Sequence, residues 1–256
     1  MSGTASSFCF HQAFREPFAV GPRSFAADYL LFGSAGAFIL ELDDRQWFLP
    51  PQRAALIAAG TPIRVRSTGP ATSSSVLFRN GELAAPLKPC AVFAMSDLAH
   101  AMVDHASRWG EARDREDRVA DTFFLALASV IAPLAEREQD TWLPRPQTPG
   151  LGRAAAHALA HLDEDLSVAA MARLAACSER SFVRHFAAEA GMSWSAFLQR
   201  ARMIRAMELL AGGQDGVTEI GLACGFASTS AFIKAFRRFA GSTPRAYRAL
   251  ALPRRA

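Results

Sequence analysis

Two stretches of this chain repeat one pattern fifty residues apart. The first is SERSFVRHFAAEAG, Ser178 to Gly191, and the second is STSAFIKAFRRFAG, Ser228 to Gly241. Each opens on Ser, sets Phe at its fifth and ninth places, and ends in Ala-Gly. Residues four apart share a helix face, so Phe182 with Phe186 and Phe232 with Phe236 predict two buried faces. Ser is a favoured N-cap, and Gly a favoured stop after the last turn. A shorter apolar stretch precedes each copy. Val168, Met171 and Ala172 match Val217, Ile220 and Gly221 at an offset of 49, and the offset after the turn is 50. One residue is therefore added in the second turn. Short helix, tight turn and longer capped helix are the layout of a helix-turn-helix. Gly225 in the second turn makes a positive φ cheap. The first copy has Ala176 there, at some cost if its backbone is left-handed.

The inward residues repeat and the outward ones do not. Arg180 and Arg184 lie about 200° round the helix from the Phe pair, and Ser230 and Lys234 hold the matching places in the second copy. Arg suits guanine O6 and N7 in the major groove, and Ser or Thr accepts several base edges. One scaffold used twice to read two surfaces fits these differences. Stacked hairpins without a ligand are the alternative, but solenoids usually need three or more repeats. Charge agrees with DNA. Residues 151–256 hold 14 basic and 8 acidic side chains, whereas residues 1–150 hold 14 and 16. Between the copies, SWSAFLQRARMIRAMELLAGG predicts a connecting helix over about 194–211, with Ser193 as N-cap and Gly212 as stop. At 1.5 Å per residue it is roughly 25 Å long, against ~34 Å between successive major-groove faces. Arg200, Arg202, Arg205, Arg237, Arg238, Arg245 and Arg248 are placed to meet phosphates, which position a protein without specifying sequence. Thr243-Pro244 caps and starts a last helix.

The front of the chain differs. Turn signals recur at Pro50-Pro51, Gly60-Thr61-Pro62, Gly69-Pro70 and Asn80-Gly81 between short apolar runs, which predicts a small barrel or sandwich. From Ser96 the period becomes helical. A Ser-capped helix carries Leu98, Met102 and Trp109, and a second helix, DRVADTFFLALASVIAPLAERE, is apolar around much of its surface. Such a helix needs cover on more than one side, from the domain core or from a second subunit. The run 123–135 is too short to span a bilayer, and no signal peptide is evident. A Pro-rich segment then reads as a linker, about residues 141–150. Phe32, Phe38 and Trp47 suit either a pocket or core packing, and packing is the simpler role. Cys9, Cys90, Cys177 and Cys224 show no paired spacing, as expected of reduced thiols. His157 and His161 stand one turn apart without a third ligand, so no metal is expected.

The stretches ACGFASTSAFIKAFRRFAGSTPRAYR and LAACSERSFVRHFAAEAGMSWSAFLQRAR resemble the C-terminal domain of AraC/XylS-family transcription regulators. The resemblance spans about a hundred residues and departs from the family pattern at Gly221, usually Ala, and at Ala176, usually Gly. It implies an α+β chain. A cupin-like β-barrel with two flanking helices occupies residues 1–140, and an all-α DNA-binding domain of two helix-turn-helix subdomains, about 167–190 and 217–240, occupies 151–256. By the same resemblance Arg180, Val183 and Arg184 read bases in one groove, and Thr229, Ser230, Ile233 and Lys234 in the next. Ser178, Arg202, Ser228, Arg237, Arg238 and Arg245 meet phosphates. The front domain resembles the family's sensor through WFLPPQRAALIAAGTPIRVR, with Ile63 where many relatives have His. The family implies double-stranded DNA and RNA polymerase as partners, an unidentified small-molecule effector, a homodimer through the front domain, and a cytoplasmic activator with no catalysis, cofactor or membrane. A cupin-type enzyme with a DNA-binding appendage and a DNA-binding dimer without effector are the competing readings.

Overall fold

In the computed structural model, which describes residues 6–51, 53–67, 69–83, 88–137 and 141–251, the front of the chain is mostly strands and the back is helices. Met1–Leu42 with Phe48–Asp140 form one unit, and Asp43–Trp47 with Thr141–Ala256 form the other. The first unit holds β1 (Phe8–Phe14), β2 (Phe18–Arg23), β3 (Asp28–Ala35), β4 (Phe38–Leu42), β5 (Arg45–Leu49), β6 (Arg53–Ile57), β7 (Ile63–Ser67), β8 (Ala71–Phe78) and β9 (Cys90–Ala94). Part of β5 falls in the second unit. One sheet runs β1-β8-β3-β6-β9, antiparallel throughout. The other orders β5, β4, β7 and β2.

Alternation along a strand sends neighbouring side chains to opposite faces of the sheet, and β3 shows it. Leu30 and Phe32, with Val76 and Phe78 of β8, join a core with Phe124, Leu127 and Ile131 of a helix behind the sheet. Tyr29 and Leu31 turn to the other face and line a cavity with residues of β2, β4 and β7. The helices behind the sheet are α1 (Asp97–Ala106), capped by Ser96 Oγ, which accepts from the Ala99 amide, and α2 (Arg118–Glu136).

Of the apolar residues noted on α1, Met102 packs partly buried against the core and Leu98 does not. Ala99, Val103 and Ala106 are buried, whereas Leu98 is 59% exposed. Small residues face the sheet and let the helix sit close. Trp109 is buried, but it lies beyond the C-cap Ser107, where the helical period no longer applies. Its indole donates to Asp117 at 2.9 Å. By length and composition α2 is apolar enough to cross a membrane, yet its inner face belongs to the core, while Val119 and Leu125 stand exposed. Phe32 also packs in this core and Phe38 lines the cavity, so the sequence-level choice between core and pocket divides between them.

The second unit begins in the segment expected as a linker. There β10 (Trp142–Pro144) pairs antiparallel with β5, setting Trp142 opposite Trp47, and α3 (Pro149–Ala160) starts on Pro149. Proline is tolerated at both places, since a strand edge and a first helical turn need no amide from it. Then follow α4 (Val168–Leu174), α5 (Glu179–Ala190), α6 (Trp194–Gly212), α7 (Val217–Ala223), α8 (Thr229–Ala240) and α9 (Pro244–Ala251). Ser178 and Ser228 cap α5 and α8, and Gly191 and Gly241 end them in the left-handed region. All four cysteines are free, and burial pushes the Cys9 and Cys224 thiols up to about 11.

Both turns close with the same bonds. The amides of Ala176 and Cys177 reach Arg173 O and Ala172 O, and those of Gly225 and Phe226 reach Leu222 O and Gly221 O. Ala176 has φ +56° and Gly225 φ +73°. A left-handed residue other than Gly costs roughly 1–2 kcal/mol. At Gly225 a Cβ would also lie 2.3 Å from Leu162 O.

Ala176→Gly should stabilise the second unit by about 1 kcal/mol and Gly225→Ala should destabilise it by about 3 kcal/mol, both read from urea midpoints. At the start of α2, the Asp117 carboxylate accepts the Ala120 and Val119 amides and the Trp109 indole, and the Ala120 bond leads in holding its pKa below the ordinary value. A depressed carboxylate lends stability above its unfolded pKa, about 3.9. That stability should fade as pH drops through the lower folded value. Asp117→Asn should flatten this part of a midpoint-against-pH curve below about pH 4.

Candidate nucleic-acid interface

Two aromatic clusters hold the helices that carry the predicted site. In the first, Phe182 and Phe186 of α5 are fully buried, with ring centroids 5.8 Å apart. Trp194 of α6 stands edge-on to both, at 5.3 and 4.9 Å, and Phe197 closes the group 5.4 Å from Phe186. The Trp194 indole donates to Leu166 O at 2.8 Å, so its one polar atom is satisfied in the core. In the second, Phe232 and Phe236 of α8 are equally buried, flanked by Phe226 at 5.5 Å and by Tyr247 of α9 at 5.5 Å. Deleting one such ring typically costs about 3–5 kcal/mol. At Gly221 an added Cβ would lie 3.1 Å from the Phe232 ring, so glycine gives the closest seat for that ring on α7.

The repeat runs further than the two quoted stretches. Ser193 and Thr243 hold equivalent places after the glycines, and their hydroxyls accept the Ala196 and Ala246 amides. Phe197 and Tyr247, four residues on, contribute equivalent rings. The signal was in the sequence as Gly-x-Ser/Thr-x-x-Ala-Phe/Tyr, hidden by the change from Trp194 to Pro244.

The opposite faces of α5 and α8 are open. Arg180, Val183 and Arg184 are exposed on α5, as are Ser230, Ile233 and Lys234 on α8. Val183 and Ile233 are equivalent in the repeat and 46% and 36% exposed, each beside a cation. An apolar group beside a cationic one suits a thymine methyl next to a guanine edge. Thr229 is less open, and its hydroxyl donates to Thr218 of α7 at 3.2 Å. Ser230, Ile233, Lys234, Arg237 and Arg238 line one shallow depression along α8.

The residues expected at phosphates fall into different settings. Arg237, Arg238 and Arg245 are exposed at the end of α8 and on α9. Ser178 and Ser228 spend their hydroxyl oxygens on the Ser181 and Ala231 amides as N-caps. Arg202 is half-buried under the second turn, its Nη2 2.8 Å from where a Gly225 Cβ would stand. Three further arginines are engaged within the unit. Arg200 lies over the Trp142 ring at 4.8 Å, Arg205 pairs with Glu208 at 2.9 Å, and Arg248 donates to Asp215 O at 2.5 Å. Among the described residues no group of three or more His, Cys, Asp or Glu stands placed to hold a metal ion.

A family model described as a helix-turn-helix domain matches residues 171–250. The regulatory protein PocR of Salmonella typhimurium is 32% identical over 114 residues, 44% of this chain and 38% of PocR. The HTH-type transcriptional activator RhaS of Escherichia fergusonii is 36% identical over 88 residues, 34% of this chain and 32% of RhaS. The chain thus spans about a third of the length of the curated relatives it matches. A solved transcriptional regulator of AraC type from Chromobacterium violaceum is 32% identical, covering 42% of this chain and 96% of that one, with a TM-score of 0.39. Through its helical unit, the chain belongs to the AraC-type helix-turn-helix family.

Proposed function

We propose that this protein is a sequence-specific DNA-binding regulator of transcription, controlled by a small-molecule effector held in its front unit. The observation that carries the reading is the pair of equally anchored helices whose outward faces differ. One offers Arg180, Val183 and Arg184, and the other Ser230, Ile233 and Lys234. A helix of 19 residues, α6, joins the two subdomains, and at 1.5 Å per residue it is about 28 Å long. That length approaches the ~34 Å between successive major-groove faces. Thr229 joins the second reading set. Arg237, Arg238 and Arg245 supply sequence-independent attraction to phosphate, with Ser178, Ser228 and Arg202 at the helix starts and the turn.

The names of relatives such as RhaS favour activation, in which the bound protein meets RNA polymerase in the cytoplasm. Val119 and Leu125, exposed on α2, fit a homodimer contact through the front unit. The family works through binding, and the proposed mechanism needs no chemical step. Effector binding shifts the population of protein competent to hold its operator.

Operator fragments selected from genomic DNA provide the test. Arg184→Ala and Lys234→Ala should each weaken operator binding by about 1–3 kcal/mol in gel-shift titrations and relax preference at separate base positions. Arg237→Ala should weaken binding to all sequences alike and reduce the slope of log affinity against log salt by about 1. Unchanged affinity and preference in both Arg184→Ala and Lys234→Ala would remove α5 and α8 from the readout.

A further inference from the structure

Between the two sheets of the first unit lies a cavity of about 160 Å³, close to the ~150 Å³ of an engineered apolar cavity that takes up benzene. Aromatic rings flank it in two groups. In one, Phe14 stacks on Phe18 at 3.8 Å, and Phe38 stands edge-on to both at 6.4 and 6.2 Å. In the other, Phe25 and Phe10 flank Tyr29 at 4.6 and 6.3 Å. Phe10, Phe14, Phe18 and Phe25 are only half-buried, so the protein leaves part of their apolar surface uncovered. Such ring faces and edges favour another ring, stacked or edge-on, beyond the area it buries.

One cation joins this apolar lining, and a backbone irregularity puts it there. Val20 of β2 pairs with Val65 of β7, and the next pairing is Arg23 with Ile63. Two residues of β2, Gly21 and Pro22, thus stand opposite one of β7, Arg64, which is a β-bulge. In a regular strand Arg23 would face away from Val20. The bulge turns it to the face shared by Val20, Ile63 and Val65, all of which line the cavity. Bulges are known to re-aim side chains in this way beside binding sites. Among the described residues Arg23 has no carboxylate partner. The remaining polar lining is neutral. Tyr29 shares a hydrogen bond with Ser75 at 3.0 Å, and Gln12 and Ser73 complete it.

We propose that this cavity is the effector site and that its ligand is a single-ring aromatic carboxylate, the ring held between the two aromatic groups and the carboxylate on Arg23. The assignment rests on the reading of the front unit as effector-binding. A planar guanidinium meets a carboxylate in two parallel hydrogen bonds, and the volume admits one ring.

Calorimetric titration of the full chain with benzoate, benzyl alcohol and hexanoate tests it. Benzoate should bind one per chain, at least about ten-fold tighter than the other two. Arg23→Gln should weaken benzoate by about ten- to hundred-fold and leave benzyl alcohol unchanged. Val20→Phe, which places the protein's own ring in the cavity, should abolish benzoate binding without lowering the thermal midpoint. Arg15→Gln, outside the lining, should change nothing. Hexanoate binding as tightly as benzoate, indifference of benzoate to Arg23→Gln, or no binding of benzoate would overturn the assignment. Operator binding by the same preparation separates the two failures. Protein that holds its operator but not benzoate refutes the ligand class alone, and protein that takes benzoate but no operator refutes the regulator.

Discussion

The burial of two phenylalanine rings on one face of α5, and of two more on α8, is the constraint on which the DNA-binding unit depends. A ring pair four residues apart fixes how its helix is rotated about its own axis. Once Phe182 and Phe186 turn inward against Trp194 and Phe197, Arg180 and Arg184 have nowhere to go but outward. The same rotation, set by Phe232 and Phe236 against Phe226 and Tyr247, exposes Ser230 and Lys234. The anchors cannot vary without loss of the fold, and the outward positions vary at little cost. A surface substitution typically changes stability by less than about 0.5 kcal/mol, whereas a core ring carries several times that. Two copies of the unit can therefore share one scaffold and differ in chemistry.

The front unit follows the opposite logic on one of its two faces. Behind the first sheet, Leu30, Phe32 and Phe78 of the strands pack against Phe124 of α2, all fully buried. In front of it the rings on the inner strands leave a gap. Protein interiors are close-packed, and voids larger than a water molecule are few. The space that remains, about 160 Å³, is flanked by half-buried phenyl groups. The helices seal one face of the sheet, and the other face is left with an aromatic-lined cavity.

What the sequence revealed and what it hid separate along physical lines. Helical repeats leave a strong trace, because ring spacing, Ser caps and terminal glycines are local. α5, α6 and α8 lie within a residue or two of their expected bounds. Rotation about a helix axis was legible where large rings mark the buried side, and it was not legible in α1, where Ala99, Val103 and Ala106 do. Contacts between distant residues left no trace. Arg200, Arg205 and Arg248 look in sequence like any other basic residues of the domain, and only the fold commits them to Trp142, Glu208 and Asp215 O. The place of the exposed Arg23 on the cavity lining was equally hidden, because it depends on a register shift between two strands forty residues apart in the chain.

The two turns show how a repeat diverges under unequal constraint. Both need a left-handed residue to close the same pair of hydrogen bonds. In the first, the position is exposed, and only the backbone conformation discriminates against a side chain. That penalty is roughly 1–2 kcal/mol, which a unit with two full aromatic clusters can carry, and alanine persists at position 176. In the second, Leu162 O and the Arg202 guanidinium close over the turn, so a methyl group would meet backbone as well as strain. Glycine is held at 225 by two independent effects and was exchangeable at 176, where only one applied. The difference between the copies therefore comes from the segment after α3 and from Arg202 of α6, which cover the second turn, and not from the turns themselves.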